Sequence, residues 1–222
     1  SSARGICVTH DGRYALVTHL LSNFESVPFR VDMGWINVNV VSVIDLQRMK
    51  TLSAIGLDEF NVGSANPWGI ARDPEGDAVW VTSAGTHQLS RIAASILVGD
   101  EARRTMSPLP GAWPVYPSLG ETLWGRFSLP GNGPRSLAVQ GNTAYVAENY
   151  TDSVAMGTVD ADDETPIRSI PLGPPPQLTP QRRGQQLLDD ATICYQQWQS
   201  CSSGHPDGRT DGLNWDLMND GV

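Results

Sequence analysis

The amino-acid sequence predicts a mainly β protein, a partial β-propeller of about three four-stranded blades followed by a short α-helical segment. Residues 4–18, 68–82 and 135–147 each contain two short apolar strands joined by a polar turn with glycine, which is the pattern of a β-hairpin. The chain also holds 22 glycines and 16 prolines, a content that favours frequent chain reversals. A hairpin that recurs at nearly regular intervals indicates a blade repeat.

Each hairpin is followed by further strand candidates, which extend the repeat toward four strands. Third strands are expected at residues 38–45, 88–93 and 153–160, and fourth strands at residues 51–57 and 167–172. Four antiparallel strands per unit are typical of a propeller blade, so residues 1–172 are expected to form the blades. A β-sandwich with chance similarity between its strands is the alternative.

The units are longer than the usual ~40–50 residues of a blade, and the excess lies in two insertions. These are residues 20–37 and residues 95–133. The second insertion contains prolines at positions 108, 110, 114, 117 and 130, so we expect a loop there rather than a helix.

Short strand sequences carry a family resemblance. Residues 14–18 read Tyr-Ala-Leu-Val-Thr, residues 78–82 read Ala-Val-Trp-Val-Thr, and residues 41–45 read Val-Ser-Val-Ile-Asp. They resemble the YVTN-type β-propeller family of bacterial surface and periplasmic proteins. The resemblance covers residues 1–172 and implies a ring of about seven blades. Because three blades cannot close such a ring, further blades are expected upstream of Ser1.

Charge and hydropathy exclude several classes of function. The net charge is −9 and the chain has no run of Lys or Arg, whereas a nucleic-acid-binding protein presents a basic surface. No apolar run approaches the ~18–20 residues that span a bilayer, and the first residues lack the pattern of a signal peptide. The sequence contains no Ser/His/Asp triad motif, phosphate loop or nucleotide fingerprint.

The composition changes at residues 173–178, where three consecutive prolines favour a stiff, extended linker. Thr179 then suits the N-cap of a helix, and Pro180 suits its first residue. A helix is therefore expected over residues 181–190. Residues 179–222 are expected to open a second domain.

A second helix is expected over about residues 191–201. Its sequence leads directly into the most informative segment of the chain. If the helix persisted, Trp198, Cys201 and His205 would lie on one side of it.

The segment from Cys201 to His205 contains most of a c-type haem attachment motif. Such a site needs two thiols, each forming a thioether with a haem vinyl group, and an adjacent His as axial iron ligand. Cys201 and His205 have the required spacing, but Gly204 takes the place of the second thiol. Three interpretations stay open: haem c on one thioether, a haem-free remnant with Cys201 free or paired to Cys194, and a different metal site.

Three stretches, residues 183–188, 194–201 and 205–215, together resemble the opening of the cytochrome c peroxidase-like family. The resemblance is closest to the subgroup in which a YVTN-type propeller precedes a di-haem peroxidase domain. It implies that Cys201 links the haem and that His205 is the axial ligand of the haem iron. Trp198 and Trp215 would pack near the porphyrin, with ordinary core packing as the alternative.

The same resemblance implies a periplasmic or extracellular bacterial protein that carries haem c and serves electron transfer or peroxide reduction. Its expected partner is a redox protein or the remainder of the same polypeptide. The family's second haem motif would lie beyond Val222, so we expect a peroxidase-type oxidoreductase in the parent protein and no turnover by this chain alone.

Loop residues suggest other functions. His19 and His87 each follow the second strand of a unit, and Glu148 occupies the comparable place in the third unit, so all three are expected in loops at one end of the propeller. Together they could bind a metal ion or a substrate. The alternatives to the redox function are therefore a lactonase-like propeller hydrolase and a non-enzymatic propeller module that binds a protein or glycan.

Overall fold

The computed structural model describes residues 2–22, 24, 36–59, 61–98, 124–141, 143–158 and 167–215. In these residues twelve strands form three four-stranded antiparallel sheets. Within each sheet, strands that follow one another in the chain are hydrogen-bonded neighbours. This topology confirms the prediction of a partial propeller with three blades.

The blades use successive stretches of the chain. Blade 1 contains β1 (Gly5–Val8), β2 (Tyr14–Ser22), β3 (Asn37–Asp45) and β4 (Lys50–Gly56). Blade 2 contains β5 (Pro67–Arg72), β6 (Ala78–Ser83), β7 (Gln88–Ala93) and β8 (Trp124–Ser128). Blade 3 contains β9 (Pro134–Gln140), β10 (Thr143–Glu148), β11 (Ser153–Thr158) and β12 (Arg168–Pro171).

Two apolar clusters fill the spaces between the blades. The cluster between blades 1 and 2 includes Leu16, Val43 and Val81, each 1% exposed or less. The cluster between blades 2 and 3 is built around Trp80 and Val146. Because the inner residues of each strand face a neighbouring sheet, the alternating apolar pattern of the sequence becomes the core of the fold.

Blade 1 approaches blade 2 closely at a glycine. A Cβ atom on Gly5 would lie 2.4 Å from the carbonyl oxygen of Trp68, so only glycine fits there. Thr18 Oγ1 donates to the same Trp68 oxygen at 2.6 Å and accepts from Gly5 N at 2.9 Å. The glycine and the threonine together join the inner strands of the two blades.

Blade 2 contacts blade 3 in the same way. A Cβ atom on Gly69 would lie 2.2 Å from Arg135 O, and Thr82 Oγ1 donates to that oxygen at 2.7 Å. The matching positions of the third unit are Ser136 and Ala147. All three units therefore share the hairpin pattern, but only the first two also share the glycine and threonine that form this contact between blades.

Part of the second insertion, which the sequence predicts to be a loop, forms a helix and a strand. A helix, α1 (Ala94–Val98), occupies its start, and β8 occupies part of its end as the unpredicted fourth strand of blade 2. Ile96 and Leu97 of α1 are buried in the cluster between blades 1 and 2, which explains why the chain becomes helical there. The prolines at positions 108, 110, 114 and 117 lie outside the described residues, and so does most of the first insertion.

Residues 179–215, called here the C-terminal segment, begin with the predicted helix. Helix α2 (Pro180–Asp189) has Thr179 as its N-cap, and the Thr179 hydroxyl accepts a hydrogen bond from Arg182 N at 3.2 Å. The predicted helix start is therefore confirmed. No helix in the described ranges is long and apolar enough to cross a membrane.

The prediction of a second helix over residues 191–201 is wrong. A 3₁₀ turn (Tyr195–Gln197) stands in its place, with left-handed φ angles of 49° at Gln196 and 59° at Gln197. A helix of one turn, α3 (Cys201–Gly204), follows it.

Contacts with the blades explain why this helix does not form. Ala191 N donates to Gly85 O at 2.8 Å, and Gln196 O accepts from Gly63 N at 2.7 Å. Backbone groups that bond to the blades do not form the regular bonds of an α-helix.

Candidate functional site

The C-terminal segment lies across one end of the blades, which we call the loop face because the connections between blades and several strand-to-strand turns meet there. The blade residues that contact it are Arg4, Asn39, Gly63, Asn66, Gly85, His87, Arg135, Asn149 and Tyr150. Loops of this kind carry function in many folds, so the contact is a candidate functional site.

Asn66 holds helix α3 through its side-chain amide. Its Nδ2 donates to Ser200 Oγ at 2.7 Å, and its Oδ1 accepts from Ser203 Oγ at 2.8 Å. All three side chains are buried, with exposures of 7%, 6% and 4% in the order Asn66, Ser200, Ser203. Because unpaired polar groups are costly in such surroundings, these bonds hold α3 in one position.

Asn39 extends this contact into a buried network. Its Oδ1 accepts from Asn66 N at 3.0 Å, and its Nδ2 donates to Trp198 O at 3.0 Å and to Asp58 Oδ1 at 2.8 Å. Asp58 Oδ1 also accepts from Ser64 N at 2.8 Å. The network therefore connects the blades to the C-terminal segment at two points, before α3 and within it.

Asp58 makes the stability of this network dependent on pH. Burial raises the pKa of Asp58 to about 6, although hydrogen bonds from Ser64 and Asn39 act in the opposite direction. A carboxyl with a raised pKa stabilises the fold fully below its ordinary pKa of ~3.9 and loses that contribution as the pH rises through the folded value. We expect this carboxyl to lower the free energy of unfolding by roughly 2 kcal/mol between pH 4 and pH 7, measured by urea unfolding.

Asp58→Asn should remove this part of the pH dependence. Asp45→Asn is the matched control, because hydrogen bonds from Arg48 and Gln47 lower the pKa of Asp45 and place its titration below this window. If the free energy of unfolding depended on pH as steeply in Asp58→Asn as in the unaltered chain, the assignment would be contradicted.

Within the described ranges, two ion pairs also join the loop face to the C-terminal segment, Arg4–Asp207 at 2.9 Å and Arg135–Asp189 at 3.2 Å. His87 Nε2 lies 3.5 Å from Asp190 Oδ1. The Tyr150 hydroxyl donates to Asp189 as well. A chain of net charge −9 thus places two arginines of the blades against two aspartates of its own C-terminal segment.

The haem-motif residues lie on the outer side of this contact. Cys201 and His205 are exposed at the two ends of α3, where His205 N donates to Cys201 O at 2.9 Å. A Cβ atom on Gly204 would meet no described atom within 4 Å, so there is room for the Cβ of a cysteine there. All three cysteines of the chain are free, and Cys201 is not paired with Cys194.

The two tryptophans have different surroundings. Trp198 is 5% exposed and precedes α3, whereas Cys201 and His205 are exposed, so the three residues do not share one side of a continuous helix. Its indole Nε1 donates to Gln196 Oε1 at 3.1 Å. Trp215 is half-buried, and its Nε1 donates to Asp211 Oδ2 at 2.7 Å.

The three thiols should differ strongly in reactivity. Burial raises the pKa of Cys7 to about 11, despite the nearby charge of Arg72, and burial also raises the pKa of Cys194. Cys201 is exposed. Because the thiolate is the reactive form, we expect one fast-reacting thiol at pH 8 with Ellman's reagent, and the reaction of Cys7 should be about a hundredfold slower. Cys201→Ser should abolish the fast phase and Cys7→Ser should preserve it; the reverse result would overturn this placement.

The histidines predicted as loop ligands have other partners. His19 lies within β2, so its predicted loop position is wrong; its Nδ1 donates to Leu20 O at 3.0 Å and its Nε2 accepts from Ser42 Oγ at 2.7 Å. Burial lowers the pKa of His19. His87 does lie in a turn, where its Nδ1 accepts from Gly133 N at 3.1 Å and its Nε2 faces Asp190.

Glu148 is the last residue of β10 and is 1% exposed. Its Oε1 accepts from Gly131 N at 2.7 Å, and its Oε2 accepts from Ser153 Oγ at 2.6 Å and Ser169 Oγ at 2.7 Å. This carboxylate joins the strands of blade 3. Among the residues that the structure describes, no group of three or more His, Cys, Asp or Glu side chains could hold a metal ion.

Sequence reasoning missed the residues that form this contact, above all Asn39, Asp58 and Asn66. A signal was present at Asn66, which has a left-handed φ of 57° and directly precedes β5. Asparagine tolerates this conformation better than other residues with a side chain, so it reads as a turn residue. Its buried bonds to residues far along the chain leave no local pattern.

The three blades and their shared core define the chain as part of a β-propeller, and the comparisons agree with this class. No protein-family model matches the chain. Hydrazine synthase subunit beta of Kuenenia stuttgartiensis is 25% identical over 158 residues, which are 70% of this chain and 41% of that protein. The chain thus spans about two-fifths of the length of this curated relative.

Solved structures show the same architecture. The hydrazine synthase of Kuenenia stuttgartiensis matches with a TM-score of 0.58 and 22% identity, over 73% of this chain and 46% of that chain. The periplasmic gluconolactonase PpgL of Pseudomonas aeruginosa matches with a TM-score of 0.50 and 14% identity, over 78% of this chain and 43% of that chain. These likenesses show the fold. The resemblances to the YVTN-type and di-haem peroxidase-like families stay predictions.

Proposed function

We propose that this chain is a non-enzymatic propeller module whose loop face binds a segment that bears serines and aspartates, and presents the opposite side of that segment to a partner. The observation that carries the proposal is the buried contact of Asn66 with Ser200 and Ser203, which leaves Cys201 and His205 exposed. In this chain the bound segment is its own C-terminal segment. A hydrolase is less well supported, because His19, His87 and Glu148 are each engaged in bonds within the fold.

The partner is proposed to be another subunit of a redox assembly. The curated relative is a subunit of hydrazine synthase, which supports membership of a multi-subunit complex. We propose a periplasmic or extracellular location, which suits covalent haem attachment and agrees with the periplasmic gluconolactonase of the same fold.

Binding of the segment can be tested by cutting the chain. A protease recognition sequence in place of residues 173–178 allows cleavage of the folded protein between blade 3 and α2. We expect the cut segment to co-elute with the blades in size-exclusion chromatography at low salt and to dissociate from them more readily in high salt, because exposed ion pairs are screened. A segment that separates at once at low salt would contradict the proposal.

A haem c group on the exposed side is the second proposed function. Cys201 and His205 fit it in residue type and spacing, and α3 gives the motif its helical turn, but Gly204 supplies no second thiol. Bound there, haem would supply one-electron transfer. The role of this chain is then to hold Cys201 for covalent attachment and to keep the His205 ring available to the iron.

Haem attachment is testable by producing the chain with cytochrome c maturation machinery. We expect denaturing mass spectrometry to show one haem, on the peptide that contains Cys201, and none in Cys201→Ser. Gly204→Cys should raise the occupancy and shift the pyridine haemochrome band toward that of an ordinary c-type site, because the second vinyl group becomes saturated. A haem-free product in both the unaltered chain and Gly204→Cys would refute this function without affecting the binding module.

A further inference from the structure

A cavity of about 400 Å³ lies between the loop face and the C-terminal segment. Its blade side is lined by Arg4, Trp68 and Arg135, which occupy matching positions at the starts of the three inner strands. Its other side is lined by residues of α2 and of the turns that follow it, including Leu188 and Asp207. The volume is within the range of small-molecule sites.

Two arginines are held in place in this cavity by one indole ring. The guanidinium carbon of Arg4 lies 4.2 Å from the Trp68 ring centroid, and that of Arg135 lies 4.4 Å from it. Both side chains are only partly exposed, at 19% for Arg4 and 25% for Arg135. Cations stacked on an aromatic ring and partly withdrawn from water are preorganised to bind a carboxylate.

The two arginines differ in how firmly their present partners hold them. Asp189 is 16% exposed and also accepts from Tyr150, so Arg135 has a fixed partner. Asp207 is 64% exposed and lies on the short turn after His205, so its pair with Arg4 resembles a surface ion pair, which contributes little to stability. An incoming anion can therefore displace Asp207 at little cost.

We propose that this cavity binds a small organic carboxylate, whose carboxylate group replaces that of Asp207 on Arg4 and whose apolar body contacts Leu20, Pro67 and Leu188. With Asp207 displaced, the charged lining residues Arg4, Arg135 and Asp189 leave one net positive charge. Because the C-terminal segment forms one wall, the inference rests on the proposed binding of that segment.

The test uses the full chain and benzoate as the probe, with binding followed by isothermal titration calorimetry. We expect saturable binding at one site. Arg4→Gln should weaken it at least tenfold, and Asp207→Asn should tighten it several-fold because the competing carboxylate is gone. Arg13→Gln is the matched control: Arg13 also pairs with an aspartate, Asp45 at 3.8 Å, and stacks on a ring, but it is not among the cavity residues.

Sulfate tests whether an anion of any kind suffices, and we expect it to bind at least tenfold more weakly than benzoate. Equal binding of the two probes, or equal benzoate binding by Arg4→Gln and the unaltered chain, would overturn the proposal. So would the absence of benzoate binding in a chain whose Ala191 amide is protected from hydrogen exchange, since the segment is then in place. Rapid exchange at Ala191 together with no binding would refute the proposed function as well as the cavity.

Discussion

Asn66→Gly should release the C-terminal segment from the loop face. The substitution removes the bonds to Ser200 and Ser203 while glycine retains the left-handed backbone of this position. Loss of bonds between buried groups should weaken the contact by roughly 3 kcal/mol. Because cleavage follows the population of the open form, trypsin should then cut after Arg183 about a hundredfold faster than in the unaltered chain.

Two further variants make this result specific. Asn66→Ala should weaken the contact by about 1 kcal/mol more than Asn66→Gly does, since alanine does not favour a left-handed φ. Asn149→Ala is the matched control, because the Asn149 side-chain nitrogen is buried at the same face and has no hydrogen-bond partner among the described residues. Unaltered cleavage in both Asn66 variants, or equal acceleration in Asn149→Ala, would refute the role of Asn66.

Gly69→Ala should separate blades 2 and 3. The added Cβ would lie 2.2 Å from Arg135 O and 3.1 Å from Thr82 Oγ1, which join the inner strands of the two blades. A backbone carbonyl cannot move aside cheaply, so the blades must shift. We expect the free energy of unfolding to fall by about 2 to 3 kcal/mol, measured by urea unfolding.

Gly184→Ala provides the control for this substitution. Gly184 lies in α2, and its added Cβ would meet no described atom within 4 Å. Alanine favours a helix interior over glycine by about 1 kcal/mol, so this variant should be neutral or slightly more stable. A Gly69→Ala chain as stable as Gly184→Ala would show that the close approach of the blades is not as the structure describes.

The blades could be predicted from sequence because their signals are local. Hairpin tips such as Gly12 and Gly141 have left-handed φ angles of 69° and 53°, and alternating apolar residues mark the strands on either side. The strand β8 was missed because it follows a proline-rich insertion and pairs with β7 across a long stretch of chain. A strand defined by such a pairing has little local pattern to reveal it.

The functional contact could be predicted only in part. The sequence predicted helix α2 and its N-cap, but it also predicted that Trp198, Cys201 and His205 would share one side of a continued helix, whereas the structure has a helix of one turn there, α3. The position of that turn depends on Asn66 and Ser203, which are separated by 137 residues in the chain. Hydrogen bonds over such distances depend on the assembled fold, so neither the contact nor the loss of the helix over residues 191–201 could be inferred from periodicity.

Hydrogen exchange of the full chain, read by mass spectrometry, tests the central claim most directly. The amides of Ala191 and Gly63 donate across the contact, to Gly85 O at 2.8 Å and to Gln196 O at 2.7 Å. If the loop face holds the C-terminal segment, peptides containing these amides should be protected at low salt, as are peptides of the inner strands. Exchange of the Ala191 peptide at the rate of an unstructured chain, with the strands still protected, would contradict the account.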